Sequence, residues 1–404
     1  MELKKIHISD IGKIVTGKTP RTSIVENYGG NIPFLTPSDD LSYKSVPKTS
    51  KTLTEQGLNE VKNCLLPPHS VCVSCIGSDL GKVVMTLEPT ITNQQFNSII
   101  PNRQFNADFV YYLMTLVGKE LNYLSKTSTA VPIINKSSFS NYEVEVPDLK
   151  KQEKIASILS SLDDKIELNR RINGNLEQQA QALFKAWFVD FEPFKNGKFV
   201  DSELGRIPEG WKVGHFTDIV KVSGGGTPRT NNTSFWNGSI PFFTPKDASD
   251  IVFTYKTEKH ITNLGVSNCN SPIYPAHTVF ITARGTIGKI KMAGKPMAMN
   301  QSCYALLTKK EKLEPYIYLL SLRLVNIMQK KANGAVFEAI TTKDFEENIV
   351  IPPNEILTSF IQLVNPLFFQ IHHNGLENQN LIILKEALLP RLMSGELNVN
   401  TITE

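Results

Sequence analysis

Residues 12–21 of the 404-residue chain read GKIVTGKTPR, and this stretch matches a phosphate-binding pattern. Its glycines, lysine and threonine have the spacing G-x-x-x-x-G-K-[ST], in which backbone amides and the lysine bind nucleotide phosphates. Such a loop needs a buried strand before it and a helix that begins at its Lys-Thr pair. The preceding KKIHISDI is a poor buried strand, and Pro20 followed by RTSIVENYGGN is a poor helix start. We therefore interpret the match as accidental.

Other residues that could do chemistry are also isolated. Cys72 and Cys75 form a C-x-x-C inside SVCVSCIG, which alternates like a strand, and no second Cys/His pair follows at zinc spacing. Asn31–Phe34 reads NIPF and resembles the N-P-P-[YF] site of amino-methyltransferases, but no glycine-rich turn for a nucleoside cofactor accompanies it. The seven histidines are scattered, with His372 and His373 expected on the polar or rim side of a helix. The sequence predicts no catalytic site and no metal site.

The chain is a tandem duplication. TPRT at residues 19–22 returns at residues 227–230, and IPFLTPSD returns as IPFFTPKD at the same offset of 208 residues. IGSDLGKV, which begins at Ile76, corresponds in the second copy to RGTIGKI, which begins at Arg284. TNQQ and MNQS then repeat in the same order. The second copy has no lysine at the phosphate-binding position, which supports an accidental match there.

Composition indicates an ordinary globular protein. The chain is 41% hydrophobic and 20% charged, with a formal net charge of +4 that is compatible with an acidic partner such as DNA. No stretch approaches the ~20 apolar residues that span a bilayer, so we expect no membrane association. The N-terminus has no apolar run of signal-peptide length. Five cysteines suggest reduced thiols, and we expect a cytoplasmic protein.

Each copy divides into a globular part and a long helix. Residues 1–148, the first head, and residues 207–353, the second head, are rich in Gly, Pro and Asn and carry short alternating segments such as HTVFITA. This texture predicts a β-rich α+β domain with long loops. Residues 149–190 and 354–404 are predicted to be mainly helical, and residues 191–206 are predicted to be the linker into the second head.

The helical parts carry a heptad pattern. Apolar residues and two asparagines recur at steps of four and three from Ile155 to Trp187, and the pattern returns 205 residues later. We expect the two helices to pair antiparallel, with buried asparagines fixing their register. The central residues of this predicted seam are Leu162, Ile166, Asn169, Asn173 and Leu176 in the first helix, and Ile371, Asn374, Asn378 and Leu381 in the second.

Antiparallel pairing would place the two heads at opposite ends of a long two-helix coiled coil, related by a pseudo-two-fold axis. The alternative is that each helix packs on its own head as an ordinary amphipathic helix. Pro366 lacks a backbone N–H, so we expect the regular part of the second helix to begin at about residue 366.

The whole chain resembles the DNA-specificity subunit of Type I restriction–modification systems. The resemblance is carried by GGTPRT, IPFFTPKD, RGTIGK, LFKAWFVDFEPF, IPEGW and LLPRLMSGEL. The first head departs from it with TGKTPRT and IGSDLGK, which we interpret as a different base preference. The resemblance implies that each head is a target-recognition domain for one half of a bipartite asymmetric DNA site. It also implies that the paired helices set the number of unread base pairs between the halves.

The same resemblance implies the partners. Two methyltransferase subunits would dock on the helices and supply the S-adenosylmethionine chemistry on adenine. Restriction subunits, which translocate DNA and cut it, would complete the complex with ATP and Mg²⁺. This chain would hold no cofactor and catalyse nothing. Two alternatives stay open: a two-headed coiled-coil adaptor that binds proteins and no DNA, and an enzyme whose site the sequence does not reveal.

Base reading requires Arg, Lys, Asn or Gln on loops, and hydroxyls hold phosphates. Features shared by the two heads are expected to build the fold or hold the DNA backbone. Base contacts are expected where the heads differ, as in YLSKTSTAVP (residues 123–132) against KKANGAVFEA (residues 330–339). The candidate DNA-binding residues are Thr19, Arg21, Ser38 and Lys82 in the first head, and Thr227, Arg229, Lys246, Arg284 and Lys289 in the second.

Overall fold

The structure is a computed structural model that describes residues 2–125, 133–310, 312–331 and 339–398. It divides into two units: Met1–Lys165 with Leu381–Glu404, and Ile166–Asn380. Lys126 and most of the two unlike stretches at residues 123–132 and 330–339 lie outside the described residues. Along the described ranges, no helix has both the length and the apolar character to cross a membrane.

Among its described residues, the first unit contains three small sheets and four short or medium helices, together with parts of the two long helices. The strands are β1 Lys4–His7, β2 Gly12–Thr16, β3 Tyr28–Leu35, β4 Lys51–Leu53, β5 Val71–Ser74, β6 Val83–Met85, β7 Ile91–Thr92, β8 Phe96–Pro101 and β9 Glu143–Val146. One sheet has the antiparallel order β2-β8-β5-β6, the second the order β4-β3-β7 with β3 and β7 parallel, and the third pairs β1 with β9. The helices are α1 Ile8–Ile11, α2 Glu55–Val61, α3 Ala107–Ser125 and α4 Lys136–Ser140.

The second unit repeats this arrangement. The strands are β10 Phe199–Ser202, β11 Gly205–Pro208, β12 Lys212–His215, β13 Val220–Gly224, β14 Trp236–Phe243, β15 Phe253–Thr254, β16 Lys259–Ile261, β17 Val279–Thr282, β18 Ile290–Ala293, β19 Ala298–Met299, β20 Cys303–Thr308 and β21 Asn348–Ile351. Its sheets have the orders β13-β20-β17-β18-β15, β16-β14-β19 and β12-β21, and a further hairpin pairs β10 with β11. The helices are α5 Leu149–Phe188, α6 Phe216–Ile219, α7 Asn263–Ser267, α8 Glu314–Lys331 and α9 Asn354–Met393, of which α5 and α9 run through both units.

The duplication extends to individual helix caps. Thr54 and Thr262 are 208 residues apart, and each accepts a hydrogen bond on its hydroxyl from the backbone N–H three residues later, at 3.2 and 3.1 Å. Those donors are Gly57 and Gly265, both buried, where a Cβ would lie 2.2 and 2.5 Å from a backbone oxygen. Because α2 and α7 have the same threonine cap and the same buried glycine, they are equivalent helices. The two heads can therefore be compared position by position.

The two long helices pair antiparallel, as the heptad pattern predicted. In the second unit, Asn169 Nδ2 donates to Asn378 Oδ1 at 2.9 Å, and Asn374 Nδ2 donates to Asn173 Oδ1 at 2.8 Å. The later residue of α5 meets the earlier residue of α9, so the chains run in opposite directions. Two amide pairs at adjacent turns therefore tie the helices together.

The same asparagines also bond to backbone carbonyls across the pair. Asn378 Nδ2 lies 3.2 Å from Ile166 O, and Asn173 Nδ2 lies 3.2 Å from Ile371 O. Asn169 is only 1% exposed and also donates to Glu377 Oε2 at 2.7 Å. Sliding one helix by a turn would break all of these bonds at once, so buried amides specify the register.

In the first unit a buried ion pair joins the same two helices. Lys385 Nζ lies 2.5 Å from Asp163 Oδ1, and Tyr112 of α3 donates its hydroxyl to Asp163 Oδ2 at 2.6 Å. The Asp163 side chain is 9% exposed, and its charge is compensated by these two partners. Burial, followed by the charge of Asp163, raises the pKa of Tyr112. The carboxylate thus connects the first head to both helices.

The buried stripe of α5 is broader than a two-helix seam. Ile166 is 4% exposed, while Leu162 is only half-buried and Asp163 faces inward in its place. Toward the end of the helix, Phe184 and Phe188 join the core of the second unit, with Ala180 and Phe360. The sequence reasoning treated pairing and packing on a head as alternatives. Both occur, because the ends of each helix contact a head as well as the other helix.

One expectation about α9 was wrong. The helix begins at Asn354 and continues through Pro366, instead of becoming regular at about residue 366. Pro366 is exposed, so water can satisfy the carbonyl left without a partner, while its neighbours Val364 and Phe368 stay buried. His373 is exposed, and His372 is half-buried against Phe253, because the second head covers this side of the helix. That burial lowers the pKa of His372.

The amide pairing makes a testable contribution to stability. We expect Asn378→Ala to lower the free energy of unfolding by about 1–3 kcal/mol, because it removes one of the two acceptors of the buried Asn169 amide and the donor to Ile166 O. Urea unfolding followed by circular dichroism measures the change. Asn380→Ala, on an exposed position of the same helix, is the matched control and should change little. Equal losses in the two variants would contradict the role of the buried amide.

Candidate nucleic-acid interface

Several loops of the second head emerge at one edge of its five-stranded sheet. β13 ends at Gly224, which pairs with Tyr304 of β20, and β17 ends at Thr282, which pairs with Cys303 of the same strand. The loops that follow β13 and β17 therefore lie next to the loop that precedes β20. We call this surface the loop edge of the second head, formed by residues 225–230, 244–248, 283–289 and 300–302.

Backbone contacts hold these loops in place. A Cβ on Gly225 would lie 2.1 Å from the carbonyl oxygen of Asn300, so only glycine allows this approach. The Asn300 N–H donates to Phe243 O at 2.9 Å, and the Ala283 N–H donates to Ser302 O at 2.7 Å. The loops are thus positioned by the sheet and by one another, which is the support that a recognition surface requires.

Five candidate residues lie on this edge. Thr227 donates its hydroxyl to the side-chain oxygen of Gln301, which joins the first loop to the last. Lys246 lies in a turn closed by Asp247, whose carboxylate accepts from the backbone N–H of Thr244 at 2.8 Å. A Cβ added to Gly285, whose φ is 79°, would lie 3.8 Å from Pro245 Cβ, so the loop of Arg284 adjoins the turn of Lys246. The five are Thr227, Arg229, Lys246, Arg284 and Lys289.

Most of the positive charge on this edge is unpaired. Arg229, Lys246 and Arg284 are exposed and have no ion-pair partner among the described residues. Lys289 differs, since its Nζ lies 2.9 Å from Asp250 Oδ1. Its side chain and that of Asp250 are 44% and 84% exposed, so the pair is accessible to solvent and contributes little stability. Three free cations on fixed loops form an anion-attracting surface.

The first head has the equivalent edge. β2 ends at Thr16, which pairs with Asn97 of β8, and β5 ends at Ser74, which pairs with Phe96 of the same strand. A Cβ on Gly17 would lie 2.1 Å from a backbone oxygen, the same distance as in the second copy. We call this surface the loop edge of the first head, formed by residues 17–22, 36–40, 75–82 and 93–95.

The candidates of the first head lie on its loop edge but are engaged with neighbours. Arg21 forms an ion pair with Glu60 at 2.9 Å, and Lys82 forms one with Asp79 at 2.8 Å. The hydroxyl of Ser38 lies 2.6 Å from that of Thr36, and Thr19 donates to Gln94 Oε1 at 2.6 Å. Hydrogen bonds from the backbone and then the side chain of Arg21 lower the pKa of Glu60. This edge therefore carries less net positive charge.

Sequence reasoning did not include two glutamines that the structure brings to these edges. Gln94 and Gln301 are exposed, each accepts a hydrogen bond from the threonine of its TPRT motif, and each retains a free amide donor group in that contact. Glutamine amides can pair with adenine in the major groove. The repeated Asn-Gln dipeptide in both copies was the available signal. The asparagines of that dipeptide close turns, as Asn300 Oδ1 does by accepting from the Ser302 N–H at 3.0 Å.

The motifs set aside at the start do not form sites in the described residues. β2 is followed by an extended loop, and no helix begins at Lys18–Thr19. Cys72 and Cys75 are buried in different apolar clusters, and burial raises the pKa of Cys72 to about 12. In the part of the chain that the structure covers, no three His, Cys, Asp or Glu residues converge as metal ligands.

Comparisons with known proteins agree with this architecture. The family described as Type I restriction modification DNA specificity domain matches residues 1–178 and again residues 208–382. The chain belongs to this family. The two matched ranges each cover one head and part of the helix that follows it, as expected of a duplicated specificity subunit.

Relatives in the family cover nearly the whole chain. The Type I restriction enzyme MjaIX specificity subunit of Methanocaldococcus jannaschii is 32% identical over 98% of this chain and 94% of that protein. The Type I restriction enzyme HindI specificity subunit of Haemophilus influenzae is 26% identical over 77% of this chain and 82% of that protein. The crystal structure of a Type I S subunit from M. genitalium, with a TM-score of 0.52 and 14% identity over 97% of this chain and 96% of that one, has the same fold.

Two adjacent glycines test how the loop edge is built. We expect Gly225→Ala to lower the free energy of unfolding by about 1–3 kcal/mol, because its Cβ would overlap the backbone of Asn300 and displace the loop. Gly224→Ala is the matched control, since no atom lies within 4 Å of its Cβ position. Thermal unfolding of the two variants measures the difference. A control as unstable as Gly225→Ala would contradict the close approach.

Proposed function

We propose that this chain is the sequence-recognition subunit of a Type I restriction–modification complex, and that each head binds one half of a bipartite asymmetric site on double-stranded DNA through its loop edge. The observation that carries the proposal is the duplicated edge, on which cations, hydroxyls and amides project from loops fixed by the sheet. Membership in the specificity-subunit family supports the same function.

The chemistry of each candidate suits a different part of DNA. Arginine binds guanine with two parallel hydrogen bonds, glutamine pairs with adenine, and hydroxyls and lysines contact phosphates. We propose that Arg229 and Arg284 contact bases or phosphates of one half-site, together with Lys246. Thr19 and Thr227 would hold backbone phosphates, and Arg21, Ser38, Lys82 and Lys289 would complete the two contact sets.

We propose that the chain itself is not an enzyme. Two methyltransferase subunits would supply S-adenosylmethionine chemistry on adenine, and restriction subunits would supply the nuclease and translocase activities with ATP and Mg²⁺. The relatives named above are specificity subunits, and this supports an assignment of binding to this chain and catalysis to its partners. A cytoplasmic location follows from the proposed role in a DNA-modifying complex.

We propose that the paired helices set the number of unread base pairs between the half-sites. Each helix has 40 residues and is therefore about 60 Å long at ~1.5 Å per residue. The buried amides between them fix one register, so the helices cannot slide to fit another spacing. Because the helices have a single register, we expect a single number of unread base pairs between the half-sites.

Arg229 provides a test of base reading. We expect Arg229→Ala to weaken binding of the cognate duplex by about 1–3 kcal/mol and to relax the sequence preference at one position of one half-site if it contacts a base. Selection of bound duplexes from a random pool, followed by sequencing, measures both effects. A uniform loss over all sequences would make Arg229 a phosphate contact. Unchanged binding would contradict its place in the interface.

The length of the helices provides a test of spacing. Inserting one heptad after Asn173 and one before Asn374 keeps the seam in phase and adds about 10.5 Å, or roughly three base pairs. We expect the unread spacer to lengthen by that amount while both half-sites stay the same. Sequencing of modified adenines in cells that carry the variant measures the site. The single insertion after Asn173 is the control and should abolish modification, whereas an unchanged spacer in the double insertion would contradict the proposal.

A further inference from the structure

Equivalent arginines of the two heads have different surroundings. Arg21 and Arg229 occupy the same position of the repeated TPRT motif, on the loop edges of the first and second heads. The helix beside this motif is α2 in the first head and α7 in the second, aligned by the caps at Thr54 and Thr262. In this alignment, Glu60 of α2 is equivalent to Asn268, the residue that follows α7. One arginine therefore has a carboxylate beside it and the other an amide.

In the first head, Glu60 holds both the side chain and the backbone of Arg21. Its Oε1 lies 2.9 Å from a terminal guanidinium nitrogen and 3.1 Å from Nε, and its Oε2 accepts from the Arg21 N–H at 3.0 Å. The Glu60 side chain is 20% exposed, whereas that of Arg21 is 72% exposed. The carboxylate thus sits beneath the guanidinium and leaves its outer face open to solvent.

In the second head the loop is held without a charge. Trp236 donates its indole N–H to the carbonyl oxygen of Arg229 at 3.2 Å, so the backbone is fixed by a neutral side chain. Asn268 turns away and donates to Leu264 O at 2.8 Å. Among the described residues no carboxylate pairs with the guanidinium of Arg229. The same motif therefore presents a neutral ion pair in one head and a full positive charge in the other.

We propose that Glu60 is a specificity-determining residue that neutralises Arg21, so that the first head contributes little sequence-independent DNA affinity and the second head anchors the complex on the DNA backbone. This inference rests on the proposed function and deepens it. Two neighbouring positions agree with it, because the first head has Ser38 and Ile76 where the second has Lys246 and Arg284, whereas Lys18 against Gly226 is the exception.

The physical reason is counterion release. A cation that neutralises a phosphate releases a bound counterion, and each such contact adds roughly 0.9 to the slope of log affinity against log salt. An arginine already paired with a carboxylate adds no net charge to the interface, so it gains little from an arbitrary phosphate. With Glu60 in place, the guanidinium N–H groups of Arg21 that do not contact Glu60 can still pair with base acceptors such as those of guanine. The first head would then depend on the correct base more than the second.

Salt-dependent binding of the full chain tests this inference. Fluorescence anisotropy with a 40-base-pair duplex of unrelated sequence, at KCl concentrations from ~50 to ~200 mM, gives the slope for each variant. We expect Glu60→Gln to increase the magnitude of the slope by roughly 0.9 and to tighten binding at the lowest salt about threefold. Glutamine keeps an acceptor for Arg21, so the loop should remain folded.

Three further variants sharpen the result. Arg21→Ala in the Glu60→Gln background should return the slope to its wild-type value, since the gain comes from the released guanidinium. Asn268→Glu places a carboxylate at the equivalent position of the second head and should lower the magnitude of the slope by roughly 0.9. Glu55→Gln removes the same charge from an exposed position of α2 and should leave the slope unchanged.

Two outcomes would count against the inference in different ways. If wild type binds with a clear salt dependence and Glu60→Gln behaves like Glu55→Gln, the role of Glu60 is wrong and the proposed function stands. If the wild-type chain shows no salt-dependent binding, alone or with its methyltransferase partners, the proposed function fails and takes this inference with it.

Discussion

The structure depends on the buried amide pairing between the two long helices. Both units include parts of both helices, so neither unit is complete unless α5 and α9 meet in one register. A purely apolar seam would allow the helices to slide by a turn or to pair in parallel. Asn169 and Asn378 exclude those alternatives, because a shifted register would bury amide groups without partners. Polar burial costs stability and in return specifies a single arrangement.

The heptad pattern predicted this pairing, but it could not predict the full buried surface of each helix. Periodicity shows which residues face a common stripe, and it contains no information about a third element that covers another side. Asp163 faces inward, where it accepts a hydrogen bond from Tyr112 of α3, and Phe184 and Phe188 pack in the core of the second unit. The expectation that Pro366 would interrupt α9 was wrong for a related reason. A proline inside a helix removes one backbone hydrogen bond, and on an exposed face water replaces that bond.

At the loop edges, the sequence predicted residue types and general location but not their partners. Repetition identified the TPRT and Asn-Gln motifs, and the sheet brings those motifs together because β13, β17 and β20 end at one edge. The contact of Arg21 with Glu60 spans 39 residues of sequence, and no local pattern predicts it. The net charge of a binding site depends on such partners, which are distant in sequence. It is therefore the part of a site that sequence motifs describe least well.

Duplication explains why the two edges share a frame and differ in charge. Gly17 and Gly225 are both retained because a Cβ would strike the backbone of the next loop, whatever DNA is bound. No comparable backbone contact constrains the side chain of Glu60, which is 20% exposed, so the two copies can differ there. A carboxylate beside one arginine changes the electrostatics of a head without disturbing its fold. Two readers of unlike sequence can thus be derived from one scaffold by changing charges around motifs that stay the same.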